Sequence, residues 1–268
     1  MTSMGPPAGE GSQALAVTLQ FYGTAAYRIV TEHGTSILID PYLDGNPASP
    51  IKAADLPPVD LVLVTHNAYD HVGDAAAILK RDRCPVICAK DVAHSLTMAH
   101  GVDPDQIRVT IWGLPLVVAG VRVHPVESHH WSFSVTPTGE LLSGPAMGFM
   151  IDAAPGVRIY HPGDSAITRD FELFGELYQP TVGLIHVALP EDSLPHYEVY
   201  QAGEMTVQEA ALASRWLGLK HVIPSHYQSP DHPDVRRFVA LVEAMSAAGT
   251  WSPRISVMSP GDVIELNP

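Results

Sequence analysis

A single-domain α/β fold is what this sequence predicts, and three observations lead to it. Short apolar runs bounded by Gly, Pro and Asp read as buried strands, and many are followed by stretches with helical periodicity. Several of those runs stop on His or Asp, so side chains able to do chemistry collect at strand ends. The chain has 268 residues and no repeat, linker or low-complexity segment, which is enough length for a large core within one domain.

In chain order, residues 1–12 are rich in Gly, Pro and Ser and read as a disordered N-terminal tail, leaving 13–268 as the domain. From Ala14 to Val30, Val17, Leu19 and Phe21 alternate with polar residues, and a second strand follows Gly23. Glu32-His33-Gly34-Thr35 reads as a hairpin turn. Ser36 to Leu43 is an apolar strand closed by Asp40-Pro41, with Asp40 either capping a loop or supporting a metal ligand. Leu61 to Val64 is a buried strand that runs into Thr65-His66-Asn67-Ala68-Tyr69-Asp70-His71, where His66, Asp70 and His71 are metal-capable donors. A short helix from Asp74 to Lys80 has Asp74 as its N-cap, Pro85 to Ala89 is a strand, and Asp91 to His100 is a helix.

The second half repeats this logic. Gln106 to Thr110, Leu116 to Val118 and Val121 to Pro125 read as strands, the last leading to Ser128-His129-His130-Trp131. Met147 to Ile151 and Val157 to Tyr160 are further strands, and the second turns at Gly163 to present Asp164. Phe171 to Leu177 is a helix and Val182 to Leu189 a buried strand in which His186 reads as a hydrogen-bonded core residue. Pro190 to Gly203 reads as a loop over the site, with Tyr197 and Tyr200 as candidate substrate contacts and Trp131 and Phe133 bordering the pocket. Thr206 and Glu209 form a capping box for a helix to Leu217, His221 to Tyr227 is a strand carrying His226, and Pro233 to Met245 is a helix. Ile255 to Leu266 reads as a closing hairpin around Pro260-Gly261.

Lys plus Arg number 15 against 29 Asp plus Glu, a net charge of −14, which repels phosphate backbones and excludes nucleic acid and an anionic membrane as main partners. A small-molecule substrate is expected, and a homo-oligomer is compatible with the composition. Cys84 and Cys88 read as small buried apolar residues rather than a disulfide. With no basic segment followed by an apolar stretch, the expected location is cytoplasmic. Gly-x-Ser-x-Gly, His-Glu-x-x-His and phosphate-loop patterns are all absent.

Thr-His-x-x-x-Asp-His at 65–71, followed by Gly73-Asp74, resembles the metallo-β-lactamase superfamily signature His-x-His-x-Asp-His, with Ala68 where the second His belongs. Ser128-His129-His130, Pro162-Gly163-Asp164 and Ser225-His226 resemble the later ligand positions in the same order, closest to the lactonase-like branch. The resemblance implies a four-layer α/β/β/α sandwich with the metals at one edge between two mixed sheets. It implies that His66 and His130 (or His129) hold a first metal, that Asp70, His71 and His226 hold a second, and that Asp164 bridges the two. Two Zn2+ ions are expected, with Mn2+ or Fe2+ as alternatives. The implied activity is metal-dependent hydrolysis of a small ester, lactone or related substrate by a metal-bound hydroxide that Asp70 orients, the leaving group taking its proton from Asp70, a metal-bound water, or one of His129 and His161. A phosphodiesterase, or a member that binds metal or ligand without catalysis, is the alternative. Ala68 removes one nitrogen donor and weakens the first site; it reads as an engineered replacement, or else as a natural one-metal enzyme or binding protein.

Overall fold

The computed structural model describes residues 16–136, 138–187, 203–249 and 251–268. The first sheet begins with β1 (Val17–Gly23), β2 (Ala26–Val30) and β3 (Ser36–Ile39), each antiparallel to the next. It continues in parallel through β4 (Leu61–Leu63), β5 (Val86–Cys88) and β6 (Ile107–Val109). The second sheet contains β7 (Leu116–Val118) and β8 (Val121–Glu127); a separate hairpin, β9 (Phe133–Val135) and β10 (Leu141–Ser143), stands outside it. From β11 (Met147–Ala154) it passes through β12 (Val157–His161), β13 (Val182–His186), β14 (His221–Ser225) and β15 (Arg254–Ile255). The last strand, β16 (Val263–Leu266), returns to the first sheet beside β1 and completes its seven strands.

Side chains on the central strands of the first sheet explain its two-sided burial. Successive residues point to opposite faces. Ile37, Ile39, Leu61, Leu63 and Ile87 therefore join the core between the sheets. Leu38, Val62, Val64, Val86 and Cys88 enter a second core instead. There they meet Ala75, Ile78 and Leu79 of the helix Ala75–Asp82 and Val92 of the helix Lys90–His94. The second sheet is covered by helices Asp170–Tyr178, Val207–Trp216 and Pro233–Ala248, which contribute Phe171, Phe174, Ala210, Ala213, Val235 and Phe238. Helix, sheet, sheet, helix is thus the layer order, with apolar faces buried on both sides of each sheet.

Several expectations are corrected. Ile255 to Leu266 is not a hairpin: β15 pairs in parallel with β14 and β16 antiparallel with β1, so the chain crosses between sheets and closes an open edge of each. Asp74 does not cap its helix; its carboxylate accepts from Leu43 N at 2.9 Å and Asp44 N at 2.8 Å, because the loop after β3 has orphan donors within reach. The helix expected to reach His100 keeps α geometry only to His94 and widens to a π turn over Ser95–Ala99, where Thr97 Oγ1 bonds back to Ala93 O at 2.8 Å. Residues 1–12 and Tyr197 and Tyr200 lie outside the described residues.

Candidate metal centre

The site is built where β4, β8, β12 and β14 end. Asp40, directly after β3, is fully buried and adopts φ 43°, and it organises the loop that follows β4. Its Oδ1 accepts from Thr65 N at 2.9 Å, and its Oδ2 accepts from Thr65 Oγ1 at 2.8 Å. The same Oδ2 lies 2.8 Å from His71 Nδ1 and 3.1 Å from His161 Nε2. With Nδ1 of His71 engaged in this way, its Nε2 is left to face the centre, as a carboxylate behind a ligand imidazole arranges. Through its Nε2, His161 supports Asp40 from behind the ligand loop.

Glycines let these loops meet. Gly73 has φ 39°, and a Cβ there would lie 2.5 Å from Pro41 O, so the segment carrying Asp70 and His71 closes only without a side chain. At Gly163, with φ 63°, a Cβ would lie 2.8 Å from Thr65 Cβ, which would force the Asp164 turn off the end of β4. His226 has φ 65°, an unusual conformation for a non-glycine residue. It is held there by His226 N donating to Thr24 O at 2.8 Å and Thr24 N donating to Tyr227 O at 2.9 Å, a link between the two sheets.

The side chains then converge. His71 Nε2 is 3.1 Å from Asp164 Oδ2, and His66 Nε2 is 4.0 Å from the same oxygen. His226 Nε2 lies 3.4 Å from Asp164 Oδ1 and 3.6 Å from Asp70 Oδ2. Two groups of donor atoms result, His66–His130–Asp164 and Asp70–His71–His226, each with its atoms within 4.8 Å of one another. The structure brings in His130 rather than His129. His130 Nδ1 meets Gly203 O at 3.2 Å, while exposed His129 turns away toward Glu127 at 3.6 Å and Asp170 at 3.9 Å. Ala68 caps the helix Tyr69–Val72 with backbone alone and offers no donor atom. Trp131 is 72% exposed and Phe133 47%.

Charge and burial oppose each other throughout this cluster. Burial favours the neutral forms of Asp40, Asp70 and Asp164, yet neighbouring His71 or His226 holds all three below the ordinary carboxylate range. Against its own burial, His71 is raised well above the usual value by Asp164, Asp40 and Asp70, and His226 is pushed up to about 10, chiefly by Asp164. His66 goes the other way, down to about 3, through burial and the adjacent His71 charge. His66 Nε2 and Asp164 Oδ1 are buried with no hydrogen-bond partner. Orphaned imidazole nitrogen and carboxylate oxygen, aimed into one space, are the donors a divalent cation takes, so the residues present fit a metal.

Two features carried no signal in the sequence. His186 is a buried core residue, as expected, but it also spans the site: Met205 N donates to its Nε2 at 2.9 Å and its Nδ1 meets Gly163 O at 3.2 Å. Glu204, beside Met205, belongs to no motif, and burial together with Asp164 pushes its carboxyl up to about 8.

Two mixed sheets between helices, with strand-end His and Asp gathered at one edge, define a metal-dependent hydrolase of the metallo-β-lactamase fold. The chain belongs to the β-lactamase superfamily, whose domain matches residues 35–227. It is 36% identical to a UPF0173 metal-dependent hydrolase of Pyrococcus furiosus, over 93% of this chain and 100% of that one. A UPF0173 metal-dependent hydrolase of Methanobrevibacter smithii is 31% identical over 93% of this chain and 97% of that one. Among solved structures, Igni18, a metallo hydrolase from Ignicoccus hospitalis, is similar with a TM-score of 0.73 at 25% identity, covering 94% of this chain and 99% of that one. An isothiocyanate hydrolase from Delia radicum gut bacteria shares the fold, with a TM-score of 0.67 at 18% identity over 93% and 98% of the two chains.

Proposed function

We infer that the chain hydrolyses a small ester, lactone or related acyl substrate, and that its stronger metal seat is Asp70, His71 and His226 with Asp164. The observation that carries this reading is the convergence of buried His66 Nε2 and Asp164 Oδ1, neither of them hydrogen-bonded, with the Asp70–His71–His226 group. Zn2+ suits a set of two imidazoles and two carboxylates, with Mn2+ or Fe2+ as alternatives. A bound divalent cation supplies Lewis acidity toward a carbonyl oxygen and lowers the pKa of water.

The chain's own residues do the rest. Asp70, with Oδ2 3.6 Å from His226 Nε2, orients the attacking water and handles its proton. Asp40 fixes the tautomer and direction of His71 through the 2.8 Å contact at Nδ1. His130, oriented by the Gly203 carbonyl, and His66 form the first site, which Ala68 leaves one nitrogen short. Ala68 also favours a second reading, a member that binds metal or ligand and has lost catalysis. A panel of esters, lactones and phosphodiesters assayed with parent, Ala68→His and Asp70→Asn proteins of measured metal content separates these readings. Ester or lactone turnover that rises with Ala68→His and disappears with Asp70→Asn supports the hydrolase, whereas turnover of phosphodiesters alone overturns the acyl substrate class. Metal binding without any turnover, even in Ala68→His, leaves the binding member.

A further inference from the structure

We propose that Ser132 and Asp91 are positioning residues of the first metal seat: a buried chain of hydrogen bonds, from the Asn67 N–H through the Ser132 hydroxyl to the Asp91 carboxylate, keeps His66 and His130 in place beside each other. This rests on the metal-dependent reading above and extends it to two side chains that stand outside both groups of donor atoms.

Chemistry fixes the direction of the chain. A backbone N–H can only donate, so Ser132 Oγ accepts from Asn67 N at 3.1 Å, and its own proton goes to Asp91 Oδ2. Asp91 stands in the first turn of the helix Lys90–His94, and Asp91 and Ser132 are 0% and 3% exposed. Asp91 Oδ1 lies against Gly144, where a Cβ would come within 2.0 Å, so the carboxylate is wedged between that helix and the end of β10. The Ser132 backbone is held as well, its carbonyl accepting from Gly144 N at 3.0 Å and from Ser143 Oγ at 3.2 Å. Beside this chain, Asn67 Nδ2 donates to Phe133 O at 2.5 Å.

The sequence neighbours of these groups make the chain a brace for metal ligands. Asn67 directly follows His66, Ser132 is two residues after His130, and the two imidazoles pack edge to face with centroids 4.8 Å apart. His66 follows β4 and His130 follows β8, which lie in different sheets, so no strand ladder sets the distance between the rings. Hydrogen bonds across the gap set it instead: two run from Asn67 to Ser132 and Phe133, and a third from Met147 N to Thr65 O at 3.1 Å. A carboxylate acceptor strengthens the Ser132 O–H bond and polarises the hydroxyl, which makes Oγ a better acceptor for Asn67 N–H. Removing that hydroxyl takes a partner from the buried carboxylate and from the N–H at once, and frees the residue beside His66. With Ala68 offering no donor, the first seat has only His66, His130 and Asp164, so a displaced ring should cost it more than it costs the Asp70–His71–His226 seat.

The test follows the Asn67 amide by hydrogen exchange in the metal-free chain, and titrates Zn2+ into the parent and Ala68→His chains, each with and without Ser132→Ala, Asp91→Leu or Asp91→Asn. Ser132→Ala and Asp91→Leu should speed exchange at Asn67. They should also raise the Kd of the weaker Zn2+ step by about tenfold or more, the scale of losing a supporting group at a metal site, and leave the tighter step unchanged. Asp91→Asn still offers Ser132 an oxygen and should recover most of the protection and affinity lost in Asp91→Leu. Unchanged exchange or an unchanged weaker step in Ser132→Ala, or an equal loss in both steps, would overturn the positioning role. A single Zn2+ step in both the parent and Ala68→His would instead overturn the two-seat reading, and no binding in either would overturn the metal centre itself.

Discussion

Ala68 and Asp40 bear on the centre in opposite ways, one by lacking a donor and the other by holding several. Ala68 is already extended at φ −96° and ψ 154° as the cap of the Tyr69–Val72 helix, so a larger side chain needs no new backbone conformation there. Ala68→His should raise bound metal from nearer one to nearer two per chain, read by elemental analysis, and should raise kcat more than it changes KM. Two tightly held ions in the parent, with no gain on substitution, would show that another residue already fills that role. For Asp40, four donors meet one buried carboxylate, and an amide in its place turns an N–H toward some of them. Asp40→Asn should weaken metal binding by about 10- to 100-fold in a competition titration, because His71 loses its orienting partner.

At the scale of elements, two local devices put the ligands in place. The capping box at Thr206 and Glu209 was legible from residue types three apart, and both of its reciprocal bonds form. Thr206→Ala should cost about 1 kcal/mol by urea unfolding, the usual loss for such a cap. Gly73 is the less forgiving position, since Pro41 O lies only 2.5 Å from where a Cβ would sit and φ is 39°. Gly73→Ala should destabilise by about 1–3 kcal/mol, as overpacking does, and should also lower metal affinity by displacing His71. A thermal midpoint within a degree of the parent would mean that the loop relaxes freely. Strand ends carrying His and Asp were readable because an apolar run that stops on such residues is uncommon. The choice of His130 over His129 was not, because adjacent residues on an extended segment point oppositely and one-residue register decides which enters.

Across the whole molecule, cation binding and proton release are coupled. His71 is raised well above its ordinary value and His226 to about 10, so at neutral pH the metal-free chain holds protons on nitrogens that a cation needs. Binding must displace them, and apparent affinity should therefore rise with pH, by about tenfold per unit for each proton displaced. The rise should continue until pH passes the folded pKa near 10 of His226. Zn2+ or Mn2+ Kd values at pH 6, 7 and 8 check this, and a flat profile would remove His71 and His226 from the ligand set. Chelation should lower the thermal midpoint by an amount that grows with the ratio of free metal to Kd.

Most of the strands and helices, the buried faces and the positions of His66, Asp70, His71, Asp164 and His226 were determined by the sequence, because hydrophobic period and strand-end chemistry are local properties; the hairpin Phe133–Val135 with Leu141–Ser143, short and exposed, was not. Tertiary structure alone decided which sheet received β15 and β16, that His161 serves Asp40, and that His186 locks Met205 to the Asp164 turn. Each of these depends on a partner outside the local run, 19 positions away for Met205 and His186 and 121 for His161 and Asp40, and such a contact leaves no periodic trace in either segment.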